Sequence, residues 1–186
     1  MDTSVLILVG LVIVVVIVAI SMMRRQRSEK LKERFGPEYD RAVDEYGDRR
    51  HAEEELAARE KRVEAFHIRP LSAEERNRFL DAWRAIQTRF VDDPSGAIVD
   101  AGQLVKEVME TRGYPMGDFE QRAADISVDH PAVVTNYRAA RDIAEANRNG
   151  RADTEKLRQA LIHYRALFED LLEVPEQSVE MTKEVV

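Results

Sequence analysis

Residues 5–23 carry no charged side chain. The run reads VLILVGLVIVVVIVAISMM. As a helix rising ~1.5 Å per residue it is roughly 28 Å long, close to a bilayer hydrocarbon core of ~30 Å. A buried helix of a soluble domain keeps a polar stripe, and this run has none. The expectation is a single transmembrane helix over residues 5–23, behind a short extension over residues 1–4. A cleaved secretory signal fits less well. The preceding MDTS has no Lys or Arg and the apolar stretch exceeds the usual signal core, although Ala19-Ile20-Ser21 resembles a small-x-small cleavage site. No second uncharged run approaches the ~20 residues of a span, which disfavours a channel or transporter of several spans.

Arg24, Arg25 and Arg27 follow the run at once, whereas only Asp2 and the terminal amine precede it. The positive-inside rule then places the N-terminus outside and the soluble part in the cytoplasm, so the expected location is the cell membrane, single-pass. The three arginines serve as stop-transfer charges and, compatibly, as contacts to anionic lipid headgroups. A lone Gly10 and no GxxxG leave no strong dimerisation signal in the span.

The remainder of the chain is charged and acidic. Beyond residue 27 there are 25 basic and 34 acidic residues, a net charge of -9. Such a balance disfavours general nucleic-acid binding, because a phosphate backbone is repelled. There are no cysteines and four histidines, His51, His67, His130 and His163. Disulfides, thiolate metal sites and a cysteine nucleophile are excluded, and no cofactor is implied.

Helical periodicity dominates after the arginines. Leu31, Phe35, Tyr39, Val43 and Tyr46 form one thin stripe, interrupted by Gly36-Pro37 and followed by Gly47. Between Asp48 and Arg62 only Leu56 is large and apolar, and Glu45/Arg49 and Glu55/Arg59 stand at i,i+4. This segment reads as a helical stalk, partly solvated on all sides, so that residues 24–71 form a basic juxtamembrane stretch and stalk. Sustained a/d heptads of a coiled coil are absent.

Ser72-Ala73-Glu74-Glu75 has the spacing of a capping box and opens a helix with Phe79, Trp83, Ile86 and Phe90 on one face. Asp92-Asp93-Pro94 separates it from a second, lined by Ala97, Ala101, Leu104 and Val108 and closed by Gly113. Asp118 caps a short helix to about Ile126. Asp129 is the expected cap of the next, which turns Val133, Val134, Tyr137 and Ile143 inward and ends at Asn149-Gly150. Thr154 opens the last, with Leu157, Leu161, Tyr164, Phe168 and Leu171 inward. No convincing strand exists. The fold class is therefore all-α: an antiparallel bundle of four longer helices plus one short one over residues 72–173, with a disordered tail over residues 174–186.

Residues 113–131, GYPMGDFEQRAADISVDHP, are the least periodic. They concentrate Arg122, Asp125, Asp129 and His130, the candidate ligand or partner site; Glu120, Asp125 and His130 could supply oxygen and imidazole ligands. The plainer reading gives the same residues to structure: Asp118 and Asp129 as caps, Arg122 paired with Asp125, His130 as a turn residue before Pro131. A di-iron bundle site needs two Glu-x-x-His pairs, and only Glu64-Ala65-Phe66-His67 has that spacing, at the end of the stalk. His163 reads as an edge-of-core residue and Tyr114-Pro115 as a packed turn. The Phe79/Trp83/Phe90 face reads as core. No phosphate loop, HExxH or GxSxG is present, so no catalytic residue and no metal site is assigned.

The segments RFGPEYDRAV, IRPLS, RFVDDP, RGYP, FEQRAADISVDHPAVVTNYRAA and LRQALIHYRALFE resemble an uncharacterised family of bacterial hypothetical proteins with an N-terminal membrane anchor and a helical soluble domain. The resemblance implies a bacterial chain of that plan and brings no activity, cofactor or site residue with it. The expected function is a membrane-tethered helical interaction or scaffold module with a protein partner. A small-ligand-binding or enzymatic domain using residues 113–131 is the alternative.

Overall fold

A computed structural model describes the backbone of residues 3–172 and the side chains of residues 11–172. The expected tail over residues 174–186 lies outside the described residues, as do the side chains of residues 5–10 in the uncharged run. Among the described residues every regular element is a helix: α1 (Thr3–Phe35), α2 (Pro37–Tyr46), α3 (Arg49–Val63), α4 (Ala73–Asp92), α5 (Pro94–Arg112), α6 (Phe119–Asp129), α7 (Pro131–Arg148) and α8 (Thr154–Leu172). The all-α expectation holds. Among the described residues no helix is long and apolar enough to cross a membrane, so the expected transmembrane helix finds no support there. The side chains of the apolar run are described from Leu11 onward.

The chain divides into two compact units, Met1–Ala57 and Ala58–Val186. In the first, α1 continues through the arginines and stops at Gly36, whose φ of 47° suits a residue without a Cβ. Pro37 takes the first turn of α2, where its missing N–H costs nothing. Gly47, with φ 65°, closes α2 by donating its N–H to Val43 O. These two turns fall within the segment expected as a helical stalk, partly solvated on all sides, and part of that segment is buried. Leu31, Phe35, Tyr39, Ala42, Ala52 and Leu56 are all buried. Leu31, Phe35 and Tyr39 of the thin stripe thus join a small core with Ala42, Ala52 and Leu56, while Val43 and Tyr46 stay half-buried.

The second unit is built on α4, α5, α7 and α8, with α6 as the short helix. α5 packs against α4, α7 and α8; α7 lies along α8; and α6 packs on α7. The expected start and stop signals hold for α4 to α6. Ser72 and Glu75 form a reciprocal capping box, Asp93 accepts from Gly96 N–H at 2.9 Å, and Asp118 accepts from Gln121 N–H at 2.8 Å. Asp153 caps α8 through Lys156 N–H at 2.8 Å. Trp83 stacks on Phe168 with ring centroids 4.8 Å apart and an interplanar angle of 17°. Phe90, expected on the same face, is only half-buried.

Phe168 is fully buried at the centre of this core. Phe168→Ala is expected to lower stability by about 3–5 kcal/mol, read by chemical denaturation; a loss under 1 kcal/mol would show a core that collapses around the gap. Arg69 and Ser72 bind the Glu75 carboxylate and hold its pKa down at about 2, from an ordinary 4.5. A depressed carboxyl pKa stabilises the fold above the unfolded value. That contribution is lost as pH falls from about 4.5 to about 2, and the Glu75 carboxyl resonance should titrate at the lower end.

Candidate functional site

The region of residues 113–131 is positioned by the end of α5. Gly113 is left-handed, with φ 99°, and donates to Glu110 O and Met109 O. A Cβ there would stand 2.5 Å from His67 O, so a glycine is required by the approaching backbone as well as by φ. Arg69 N–H donates to Arg112 O at 2.9 Å, pinning the segment before α4 to the end of α5.

Arg112, only 3% exposed, gathers what lies around it. Its Nη1 donates to Leu171 O at 3.0 Å and stands 3.3 Å from His130 Nε2, and its Nε reaches Arg69 O at 3.4 Å. His130 Nδ1 is bonded to Asp170 Oδ2. A guanidinium has only donors, so Nε2 accepts and the tautomer assigned by this geometry has Nδ1–H donating to Asp170. An Asp–His pair in a hydrolytic site leaves Nε2 facing the nucleophile. Here Nε2 faces an arginine. Beside this clasp the buried Tyr114 donates its hydroxyl to Asp129 Oδ2 at 3.0 Å. Burial, and then the Asp129 carboxylate, hold the Tyr114 phenol well above its usual range.

The other two candidates are engaged separately. Asp125, 1% exposed, accepts from Arg62 Nε at 2.9 Å and Gln121 Nε2 at 2.8 Å. Its Oδ2 is buried without a hydrogen-bond partner among the described residues. Arg122 donates to Gly117 O, and through Nε to Tyr137 Oη at 3.3 Å. The expected Arg122–Asp125 pair therefore does not form. Nor does Asp129 cap α7: His130 occupies the cap position without a side-chain bond, Pro131 takes the first turn, and Asp129 ends α6. So Asp129 and His130 share one neighbourhood, and Arg122 and Asp125 serve different partners. Among the described residues no group of three His, Asp or Glu is placed to hold a metal ion. His163 Nδ1 stands 2.9 Å from Asn136 Oδ1.

Arg24, Arg25 and Arg27 occupy a different setting, within the first unit. They form no ion pair with the described residues. Arg24 and Arg25 line a cavity of about 390 Å³ together with Ile17, Ile20, Ser21, Ser28, Arg49 and Glu53. Arg24 and Arg27 line a second, of about 460 Å³, with Arg49, Arg50, Asp48, Glu53 and Glu54. Arg49 and Arg50 are the basic residues that the sequence pattern did not bring to this place. Arg49 is fixed by Tyr39 Oη at 2.9 Å, Glu53 Oε1 at 3.0 Å and Ser28 Oγ. Glu53 also accepts from Tyr39 Oη at 2.8 Å and from Ser28. Burial works to raise the Glu53 carboxyl, but the bonds from Ser28, Tyr39 and Arg49 outweigh it and hold it below its ordinary value.

Arg112→Ala is expected to destabilise the second unit by about 3 kcal/mol, because it strips partners from Leu171 O and from the His130–Asp170 pair. Urea denaturation checks this, and a loss below 1 kcal/mol would show that water replaces the guanidinium. Comparison of the chain with protein-family models, with curated proteins and with solved structures gives no match.

Proposed function

We propose that the chain is a single-pass, membrane-tethered helical interaction module, with its N-terminus outside and its soluble domain on the cytoplasmic side. The span is the uncharged run of residues 5–23. One observation carries the reading: the described part of that run stays uncovered. Leu11, Ile17 and Met23 are 64%, 60% and 70% exposed, and the apolar side chains between them are similarly open. A contiguous exposed apolar helix calls for a non-aqueous partner. Arginines without carboxylate partners stand where the run ends, matching the headgroup layer, and Arg49 is held beside them by Ser28, Tyr39 and Glu53.

The bundle is then the part offered to a protein partner. The alternative, a ligand or enzyme site made from Arg122, Asp125, Asp129 and His130, draws little from the geometry. Each of the four is engaged by Gly117 and Tyr137, Arg62 and Gln121, Tyr114, or Asp170 and Arg112.

The test is distribution of the full chain, delivered from detergent, between neutral phosphatidylcholine vesicles and vesicles containing phosphatidylglycerol that are present together during detergent removal. Replacing Arg24, Arg25 and Arg27 together by Gln should cost about 1 kcal/mol per arginine of the preference for the anionic vesicles, roughly a hundredfold in all. Adding Arg49→Gln should reduce it further. An unchanged preference in the triple variant would defeat the headgroup role. A C-terminal reporter should work in the cytoplasm, and activity confined to the outside would overturn the orientation.

A further inference from the structure

A cavity of about 270 Å³ opens among α5, α6, α7 and α8, within the second unit. Its charges are one-sided. Lys106, Arg122, Arg141 and Arg148 line it against a single carboxylate, Asp100. Asp100 is already taken by Arg89 Nη1 at 2.5 Å. This concentration of cations stands out in a chain whose net charge is -7.

The cavity is built by helical spacing. Tyr137, Arg141 and Arg148 fall at i, i+4 and i+11 on α7, so they share a face. Gly102 and Lys106 lie one turn apart on α5. Gly102 makes room for the Tyr164 hydroxyl, since a Cβ there would meet that oxygen at 3.0 Å. The cations are positioned rather than neutralised. Arg122 is fixed by Gly117 O and the Tyr137 hydroxyl. Arg141 lies over the Phe119 ring, 5.1 Å from its centroid. Arg141 and Arg148 share one exposed carboxylate, Glu145, at 3.8 and 4.0 Å, beyond hydrogen-bond distance.

Lys106 forms no ion pair with the described residues. Burial and then the charges of Arg122, Arg141 and Arg148 push its pKa down, and no anion acts in the other direction. Like charges held around a half-buried ammonium cost stability unless something negative joins them. Burial raises the Tyr164 phenol to about 12, so it stays a hydroxyl and offers a donor.

We propose that this cavity binds a small, multiply charged phosphate compound carrying an apolar or aromatic group. Three guanidiniums and an ammonium match several phosphate oxygens better than one carboxylate, because guanidinium forks pair with oxyanions two oxygens at a time. The volume lies just below the ~300 Å³ from which ligand pockets run upward, and limits the ligand to a compact molecule. Phe119, Tyr137 and Tyr164 supply an aromatic wall.

The experiment is calorimetric titration of the full chain in a neutral detergent with inorganic pyrophosphate and with phenyl phosphate. Saturable binding that weakens with salt is expected, tighter for phenyl phosphate per unit charge. Lys106→Gln should weaken it about tenfold, and Arg141→Gln with Arg148→Gln more than that. Arg158→Gln, which removes an exposed arginine paired with Glu155 outside the cavity, should leave it unchanged. Without ligand, Lys106→Gln should melt at or above the parent temperature, because the lysine faces only cations.

The same variant should keep the parent preference for phosphatidylglycerol vesicles, and the Arg24/Arg25/Arg27 variant should keep pyrophosphate binding, which separates a soluble phosphate compound from a lipid headgroup. Absence of saturable binding at millimolar probe, parent affinity in Lys106→Gln, or loss of vesicle preference in that variant would each overturn the proposal.

Discussion

The guanidinium of Arg112 ties together segments that are remote in sequence. It reaches the chain before α4 through Arg69 O, the junction of α6 and α7 through His130, and the end of α8 through Leu171 O. A buried cation is costly unless its donors are satisfied and a counter-charge is near. Both conditions are met indirectly, because His130 joins the cation to Asp170. Gly113 follows at once and lets the His67 carbonyl come close, so the clasp and the tight approach are one local structure. The hydrophobic packing of α5 against α4 and α8 holds these helices together. The clasp adds directional bonds at the end of α5, where packing alone would tolerate sliding.

Those directional bonds engage a region rich in acids, bases and an imidazole with partners inside the fold. General acid–base work needs a group with a free lone pair or proton facing a cavity. In residues 113–131 Asp125 Oδ1, Asp129 and His130 direct lone pairs to Arg62, Gln121, Tyr114 and Arg112, while Asp125 Oδ2 is buried without a hydrogen-bond partner among the described residues. The cationic cavity is the reverse case. Arg122 is held by a carbonyl and a phenol and Arg141 by an aromatic ring, and Arg141 and Arg148 share the one exposed carboxylate of Glu145, so positive charge exceeds negative around the cavity.

Local chemistry made the helix boundaries readable. Ser72, Asp93 and Asp118 each satisfy an N–H within three residues of themselves, and no distant contact is needed to see it. The same reasoning misplaced Asp129. Its nearest helix start is fixed by Pro131, and Tyr114, fifteen residues back, offered it a better partner. The Arg122–Asp125 pair failed likewise: Arg62, 63 residues away, took the carboxylate. Gly36 and Gly47 were visible as breaks, but a break does not say whether the stripe on either side is buried afterwards. Arg49, Lys106, Arg141 and Arg148 were unreadable for one reason. Each looks like an ordinary solvated charge until the facing helices are in place.

Net charge therefore describes this chain poorly at the scale where ligands bind. Charges in physiological salt are screened over a Debye length of ~8 Å, so the acids on one face scarcely weaken the field inside a cavity on another. The value of -9 beyond residue 27 still argues against an extended phosphate backbone, which would meet acids along its whole length. It does not argue against a compact anion, which meets only the side chains within its own radius. Lys106 senses Arg122, Arg141 and Arg148 before it senses any acid, and the same locality applies to arginines at the end of an apolar helix. The sign that matters is set by which few side chains the helices bring together.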